Sequence, residues 1–489
     1  MIMDKLYEAT EFVEINKGTI NDEYRLNYHL MGEIGWINDP NGFIQFNGSY
    51  HVFYQHYPYE AIWGPMHWGH AVSEDLVKWS YLPIALAPDS EFDKDGCFSG
   101  SSIEVDGKLN LIYTGHIYTK ESKKSEYRQV QCIAKSEDGV TFTKLLDNPI
   151  IDTDEIPKVI SNVDLRDPKV IKINEIYYMI LGTNDNCNHG AVAIYKSKDL
   201  LNWEFINILA SSDGDLGICW ECPDLFKLEG NDVLMVSPQY MKPKGNDYNN
   251  LHSTIYMIGN LRIDEGTFKF KQYYPVDYGF DFYAPQTIID DKGRRILIAW
   301  MDMWESKMPT HDRGDNWAGA MTLPREVLYY KDKLIFKPID EIKKYRKNEY
   351  KIQDMKLAYE KLMDITGDSY EIIVIFDAGN SSEFGIKLRV NEKEQTVLSY
   401  NINNSIFSFN RDKSGIGPMG IRNTEVKLID NKLKLQIFVD KCSVEVFIND
   451  GEKTMTGRIY PSADATSIKL FSKGECNIVS LKKWEIKIV

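Results

Sequence analysis

Asp39 lies in GWINDPNGF, Asp167 in LRDP and Glu221 in WECPD. Turn chemistry alone makes the Asn-Asp-Pro-Asn-Gly run around Asp39 a surface turn, yet Trp36, Ile37, Phe43 and Ile44 flank it as a buried strand would. Taken singly, Asp39 reads as a turn former, Glu221 as a solvated carboxylate and Asp167 as the partner of Arg166 in a structural ion pair. Brought to one place, three carboxylates repel unless a cation, a hydrogen bond or a proton compensates. Arg166 is the neutralising candidate, which leaves Asp39 and Glu221 as two carboxyl groups whose surroundings set their pKa values apart. Glycoside hydrolysis needs such a pair.

Whether they do meet depends on the elements that carry them. Five segments align: WINDPNGFIQFNGSYHVFYQ from Trp36, CFSGSSIEVDGKLNLIYTG from Cys97, DLRDPKVIKINEIYYMILG from Asp164, WECPDLFKLEGNDVLMVSPQ from Trp220 and FYAPQTIIDDKGRRILIAW from Phe282. Each has a polar or Pro/Gly-containing start, a short apolar strand, a tight turn and a second apolar strand, which is a repeated β-hairpin. A second echo, SEDLVKW at 73, SEDGVTF at 136 and SKDLLNW at 197, reads as a turn between the outer strands of a unit. The last two units lack it.

Four-stranded units that cannot bury their own faces pack radially, so the spacing predicts an all-β fold whose first part, residues 25–335, is a five-bladed β-propeller. Residues 1–24 precede it as an N-terminal extension. The charged stretch 336–367 reads as a linker. Strand alternation returns over 368–489 with an Asn449-Asp450-Gly451 turn and predicts a β-sandwich with no catalytic cluster.

The alignment places Asp39, Ser99, Asp167, Cys222 and Ala284 at equivalent positions near the propeller axis, with Asn38, Phe98, Arg166, Glu221 and Tyr283 one residue earlier. Glu221 is therefore one residue out of register with the aspartates; it reaches the funnel from another side or its strand carries a bulge. Around them, Trp36, Trp63, Trp68, Phe98, Trp220, Tyr283 and Trp317 offer flat rings to sugar faces, and Asn38, Gln55, Ser99 and Arg166 offer polar groups to hydroxyls.

A net charge of -15 over 489 residues, with no basic stripe, excludes a phosphate-backbone partner such as nucleic acid. No apolar run approaches the length of a membrane span, and no signal segment is visible at the start, so a soluble cytoplasmic protein is expected. Seven scattered cysteines do not form a disulfide framework, and Cys219 and Cys222 alone make no zinc site. His51 with His56, and His67 with His70, sit in aromatic contexts and read as core or sugar contacts. No metal is expected. The run TKESKKSEYRQ at 119–129 could meet a phosphate but reads as a solvated loop.

The motifs WINDPNG, WGPMHWGHA, CFSGS, RDP, WECPD, DFYAPQ and WAGAMTLPRE, with CSVEVFINDGEKTMTGRIYP near the end, resemble glycoside hydrolase family 32, the β-fructosidases, over nearly the whole chain. Ile37 stands where that family usually has Met. The resemblance implies Asp39 as a nucleophile that forms a fructosyl ester, Glu221 as general acid and then base, and Asp167 as a transition-state stabiliser. It further implies Asn38, Gln55, Trp63, Phe98 and Ser99 in the fructose pocket and no cofactor. The expected substrate is a small carbohydrate, sucrose or sucrose 6-phosphate ahead of inulin or levan. An inverting hydrolase, a non-catalytic carbohydrate-binding propeller and fructosyl transfer stay open at this level, as does the oligomeric state.

Overall fold

Two-residue turns with both residues at positive φ close the innermost hairpins of four successive units: Asn47-Gly48 (49° and 84°), Asp106-Gly107 (51° and 73°), Asn174-Glu175 (48° and 65°) and Glu229-Gly230 (47° and 86°). Such turns match the right-handed twist of paired strands, so the hairpin repeat is fixed locally before any long-range contact forms. The computed structural model describes residues 5–120 and 126–488, and residues 121–125 of the basic 119–129 run lie outside the described residues.

Five sheets follow in chain order. Blade one comprises Gly35–Phe46, Ser49–Tyr57, His67–Ser73 and Ser80–Leu86. Blade two comprises Gly96–Val105, Lys108–Tyr118, Tyr127–Ser136 and Thr143–Lys144. Blade three is built from Leu165–Ile173, Ile176–Asn184, Gly190–Ser197 and Glu204–Ser211, and blade four from Cys219–Leu228, Asn231–Gln239, Ile255–Arg262 and Thr267–Pro275. Blade five has Tyr283–Ile289, Arg295–Trp300, Arg325–Tyr330 and Lys333–Pro338. Each blade's first strand touches the first strand of the next, and that of blade five returns to that of blade one. The result is the closed ring of a five-bladed propeller.

A separate apolar core fills each gap between blades. Between blades one and two, Phe53 and Trp68 meet Leu111 and Tyr113; between three and four, Ile180 and Val192 meet Trp220 and Leu234. Burying an indole such as Trp68 contributes on the order of 4 kcal/mol at ~25 cal/mol per Å². The Ser-x-Asp echoes are turns between outer strands: Asp75 Oδ1 accepts from the N–H groups of Val77 and Lys78, Asp138 Oδ1 from Val140 and Thr141, and Asp199 Oδ1 from Leu201 and Asn202. Blade four replaces this turn with a short 3₁₀ turn, Ile263–Glu265, ended by Gly266 at a φ of 60°.

The ring is latched by a two-residue strand, Trp317–Ala318, that pairs in parallel with Gly35 and Trp36. Gly319 (φ 89°) lies so close to blade one that a Cβ there would stand 2.1 Å from the Ile37 carbonyl oxygen, so only glycine permits this approach.

Two six-stranded sheets form the C-terminal sandwich around a core that includes Tyr370, Phe384, Phe409, Ile437 and Leu481. The expected linker at 336–367 is corrected here. After the 3₁₀ segment Asp340–Tyr345, Arg346–Leu357 and Lys361–Thr366 are edge strands, one in each sandwich sheet. Most of their side chains face solvent, which is why the sequence there is charged and shows no clear alternation.

The sandwich meets the propeller through buried ion pairs. His29 Nδ1 is 2.8 Å from Asp440 Oδ2 and its Nε2 is 3.0 Å from Glu445 Oε1. Arg325 of blade five bridges Asp277 and Glu445 at 2.9 and 2.6 Å. Before the first blade, the helix Lys5–Asn16 buries Ala9 and Val13 against Ile34 and Ile84.

Candidate active site

All five innermost strands break register with their neighbours at the same place: between Ile37 and Pro40, Phe98 and Gly100, Arg166 and Lys169, Glu221 and Asp224, and Tyr283 and Gln286. Three of the aligned residues, Asp167, Cys222 and Ala284, have left-handed φ values of 61°, 46° and 51°. A bulge of this kind breaks strict side-chain alternation, so consecutive residues can both turn toward the axis. That settles the register of Glu221: its carboxylate and the Cys222 thiol both join the aspartates.

Asp39 and Asp167 are 9% and 7% exposed, nearly closed off yet reachable. Ser99 Oγ donates to Asp39 Oδ2 at 2.8 Å, whereas Asp39 Oδ1 is buried without a hydrogen-bond partner among the described residues. Burial, reinforced by the charge of Glu221, pushes Asp39 up to about 6, and the Ser99 bond partly offsets this. Asp167 accepts the Cys222 N–H at 3.0 Å, while its own N–H donates to Thr114 Oγ1 at 3.0 Å. Burial pushes Asp167 up to about 7 despite the adjacent Arg166, with Glu221 and Asp39 adding in the same direction. The Cys222 thiol lies between the aspartates, 3.7 Å from Asp39 Oδ2 and 3.6 Å from Asp167 Oδ2. Burial and the surrounding carboxylates hold it well above the ordinary thiol range, so it acts as a neutral donor.

Glu221 is held from two sides. Arg166 Nε donates to Oε1 at 3.1 Å, and the Tyr283 hydroxyl donates to Oε2. Arg166 is fixed in turn by Asp164 at 2.9 Å and Gln129 at 3.3 Å. Asp164 stands one residue before blade three's first strand and two before Arg166, a spacing that could have marked it as the arginine's holder.

The remaining expected residues divide. Trp36 donates its indole N–H to Asn38 Oδ1 at 2.8 Å and stacks on Trp304, so it shapes the residue beside Asp39. Gln55 is buried and donates to the Cys97 carbonyl, holding the blade-two entry. Trp63 is 37% exposed and meets Phe98 edge-on, and Phe98 stacks on His116 with ring centroids 4.2 Å apart. These rings form an aromatic wall near Ser99.

Four of the expected rings need correction: Trp68 and Trp220 are fully buried in the cores between blades, because each strand there packs against its neighbouring blade, and the other two are Tyr283 and Trp317. Tyr283, expected to offer a ring to substrate, is fully buried and spends its hydroxyl on Glu221. Trp317, expected in the same role, donates to the Asn21 carbonyl and packs with Arg25, Tyr24 and Tyr460 in the latch. Both were placed by motif position, and the paired strand next to each turns the ring inward. Trp304 was missed; it lies beyond the repeat, in the loop after blade five's second strand.

Three carboxylates beside an aromatic wall at the axis of a closed propeller include the pair of carboxyl groups that glycoside hydrolysis requires. The model of the glycosyl hydrolases family 32 N-terminal domain matches residues 29–338, and that of the family 32 C-terminal domain matches residues 341–485. The chain belongs to glycosyl hydrolase family 32, as a β-fructofuranosidase-type glycosidase. It is 38% identical to a sucrose-6-phosphate hydrolase of Zymomonas mobilis over 96% of this chain and 94% of that one. It is also 38% identical to a raffinose invertase of Escherichia coli, over 91% of each chain. The solved sucrose-6-phosphate hydrolase of Lactobacillus gasseri superposes with a TM-score of 0.88 at 29% identity, covering 98% of this chain and 96% of that one.

Proposed function

We propose that this protein hydrolyses the terminal β-D-fructofuranosyl bond of sucrose or sucrose 6-phosphate with retention, through a fructosyl ester on Asp39. The observation that carries this reading is the asymmetry of that carboxylate: Oδ2 is held by Ser99, and Oδ1, in a buried site, has no hydrogen-bond partner among the described residues. Oδ1 forms the bond to the anomeric carbon while the bond to the bridging oxygen breaks, and that oxygen takes its proton from Glu221. Glu221 then accepts a proton from water as the water oxygen displaces Asp39, which leaves as a carboxylate. Asp167 binds fructose hydroxyls as charge develops at the ring. Arg166 and Tyr283 keep Glu221 aimed, and Trp63 and Phe98 contact the sugar.

The likeness to the Zymomonas and Lactobacillus sucrose-6-phosphate hydrolases supports the small substrates over a fructan. A cytoplasmic location belongs to the same proposal, supported by seven cysteines that are all free thiols. Side-by-side kcat/KM values on sucrose 6-phosphate, sucrose and inulin test the substrate. Higher efficiency on inulin overturns the ranking. Unchanged hydrolysis by Asp39→Ala would move the site to a carbohydrate-binding role.

A further inference from the structure

We propose that Arg458, a buried arginine of the sandwich, is a positioning residue for the acid carboxylate of the propeller; the inference rests on the reading of Glu221 as the acid. Arg458 ends the sandwich strand Lys453–Arg458, and that strand captures the chain leading into blade five. The N–H groups of Tyr278 and Phe280 donate to the carbonyls of Thr454 and Thr456 at 2.8 and 2.7 Å.

Asp281 is the pivot. It accepts the Arg458 N–H at 2.7 Å, Arg411 Nη1 at 2.6 Å and Arg458 Nη2 at 3.2 Å, all in full burial. Two residues on, Tyr283 begins blade five's inner strand opposite Trp300. Just past Trp300, Asp302 lies 2.6 Å from Arg458 Nη2. One guanidinium therefore clamps both aspartates that flank the Tyr283–Trp300 pair. Both carboxylates meet the same nitrogen, Nη2, while Nη1 donates to the Tyr460 hydroxyl at 3.3 Å, so a lysine ammonium reproduces the charge but not this division of partners.

The clamp sets where the Tyr283 hydroxyl stands. That hydroxyl donates to Glu221, whose other oxygen is held by Arg166. A shift of blade five's axial end withdraws the donor from Glu221, while the Asp39–Ser99 contact, made between blades one and two, stays in place. The same end carries Trp304, which stacks on Trp36. The sandwich thus reaches the reacting centre through one side chain and one strand, without touching substrate.

The test compares Arg458→Met, Arg458→Lys, Tyr283→Phe and the Arg458→Met/Tyr283→Phe double variant in the full chain, each below its unfolding temperature. Arg458→Met is expected to lower kcat on sucrose by about 10- to 100-fold with KM changed less than about threefold, and Arg458→Lys to recover part of the loss. If Arg458 acts through Tyr283, the double variant is no slower than Tyr283→Phe alone by more than about twofold, because the two changes break one path. A folded Arg458→Met protein with the parent kcat, or losses that multiply in the double variant, overturns the inference. Should Arg458→Met fail to fold, Arg458→Lys carries the same comparison.

His29→Gln, at the other interdomain contact, is expected to lower the thermal midpoint and leave kcat alone. An equal loss of kcat there would mean that any loosening of the interface slows the enzyme, and the specific role falls. Full activity in Glu221→Gln overturns the acid assignment and this inference with it; an inactive Glu221→Gln beside a fully active Arg458→Met overturns this inference only.

Discussion

Ser99 Oγ donates to Asp39 Oδ2 across 2.8 Å, so blade two supplies a side-chain hydroxyl that supports the proposed nucleophile of blade one. That bond favours the ionised form, against burial and the charge of Glu221, which together raise Asp39 to about 6. Ser99→Ala should move the acid limb of kcat/KM to higher pH by up to about one unit and lower kcat/KM near that limb by about 10-fold. A pH profile on sucrose checks this. An unmoved acid limb would show that Asp39 ionisation does not govern activity there.

The same raised value makes Asp39 a cost to stability once it is ionised. The folded state holds a proton on Asp39 over a window from the ordinary value of 3.8 to about 6, where the unfolded chain has already released it. Stability from this group therefore falls as pH rises through that window. Asp39→Asn should raise the thermal midpoint at pH 8, by an amount equivalent to at most about 3 kcal/mol, and leave it nearly unchanged at pH 4. The variant should also lose at least about 10³-fold in kcat. Equal midpoints at both pH values would count against the buried-carboxylate account.

His29 has the opposite chemistry and the same sign. Burial alone would lower its pKa, but its bonds to Asp440 and Glu445 outweigh burial and raise it to about 9. Its contribution is complete below the ordinary value of 6.5 and disappears as pH rises through about 9. His29→Gln should lower the thermal midpoint most at pH 6, with the gap to the parent protein narrowing between pH 6.5 and about 9. Calorimetry across that range reads it directly.

Trp317 separates latch from pocket. Trp317→Phe loses the indole bond to the Asn21 carbonyl and part of the packing with Arg25. It should destabilise by roughly 1–2 kcal/mol while KM for sucrose stays within about twofold. A large rise in KM at unchanged stability would return Trp317 to the sugar site.

The hairpin repeat was readable because its turns are local: Asn47-Gly48 and Asp106-Gly107 are pairs that adopt positive φ at low cost between two apolar runs. The convergence of Asp39, Asp167 and Glu221 was readable from the repeat, since equivalent positions in radial units share one axis. The bulge was legible only as one of two alternatives for the Glu221 strand, and its recurrence in all five strands was not, because Asp, Cys and Ala do not mark a left-handed φ such as Asp167, Cys222 and Ala284 adopt. The holders of the site were also hidden. Tyr283 and Arg458 act across 62 and 177 residues on Glu221 and Asp281, and no periodicity links partners so far apart. The strands of 346–366 escaped notice because edge strands need no second apolar face.

The Trp317–Ala318 pairing with Gly35 and Trp36 has a further consequence for how the enzyme comes into being. The strand that carries Asp39 is among the first made by the ribosome, yet its parallel partner emerges only after four further blades have begun. A nascent or prematurely terminated chain can hold the proposed nucleophile and acid in finished hairpins and still lack the ring that brings them face to face. The axial carboxylates can therefore converge only once blade five has been made, so the site is assembled late in synthesis by the order of the strands alone.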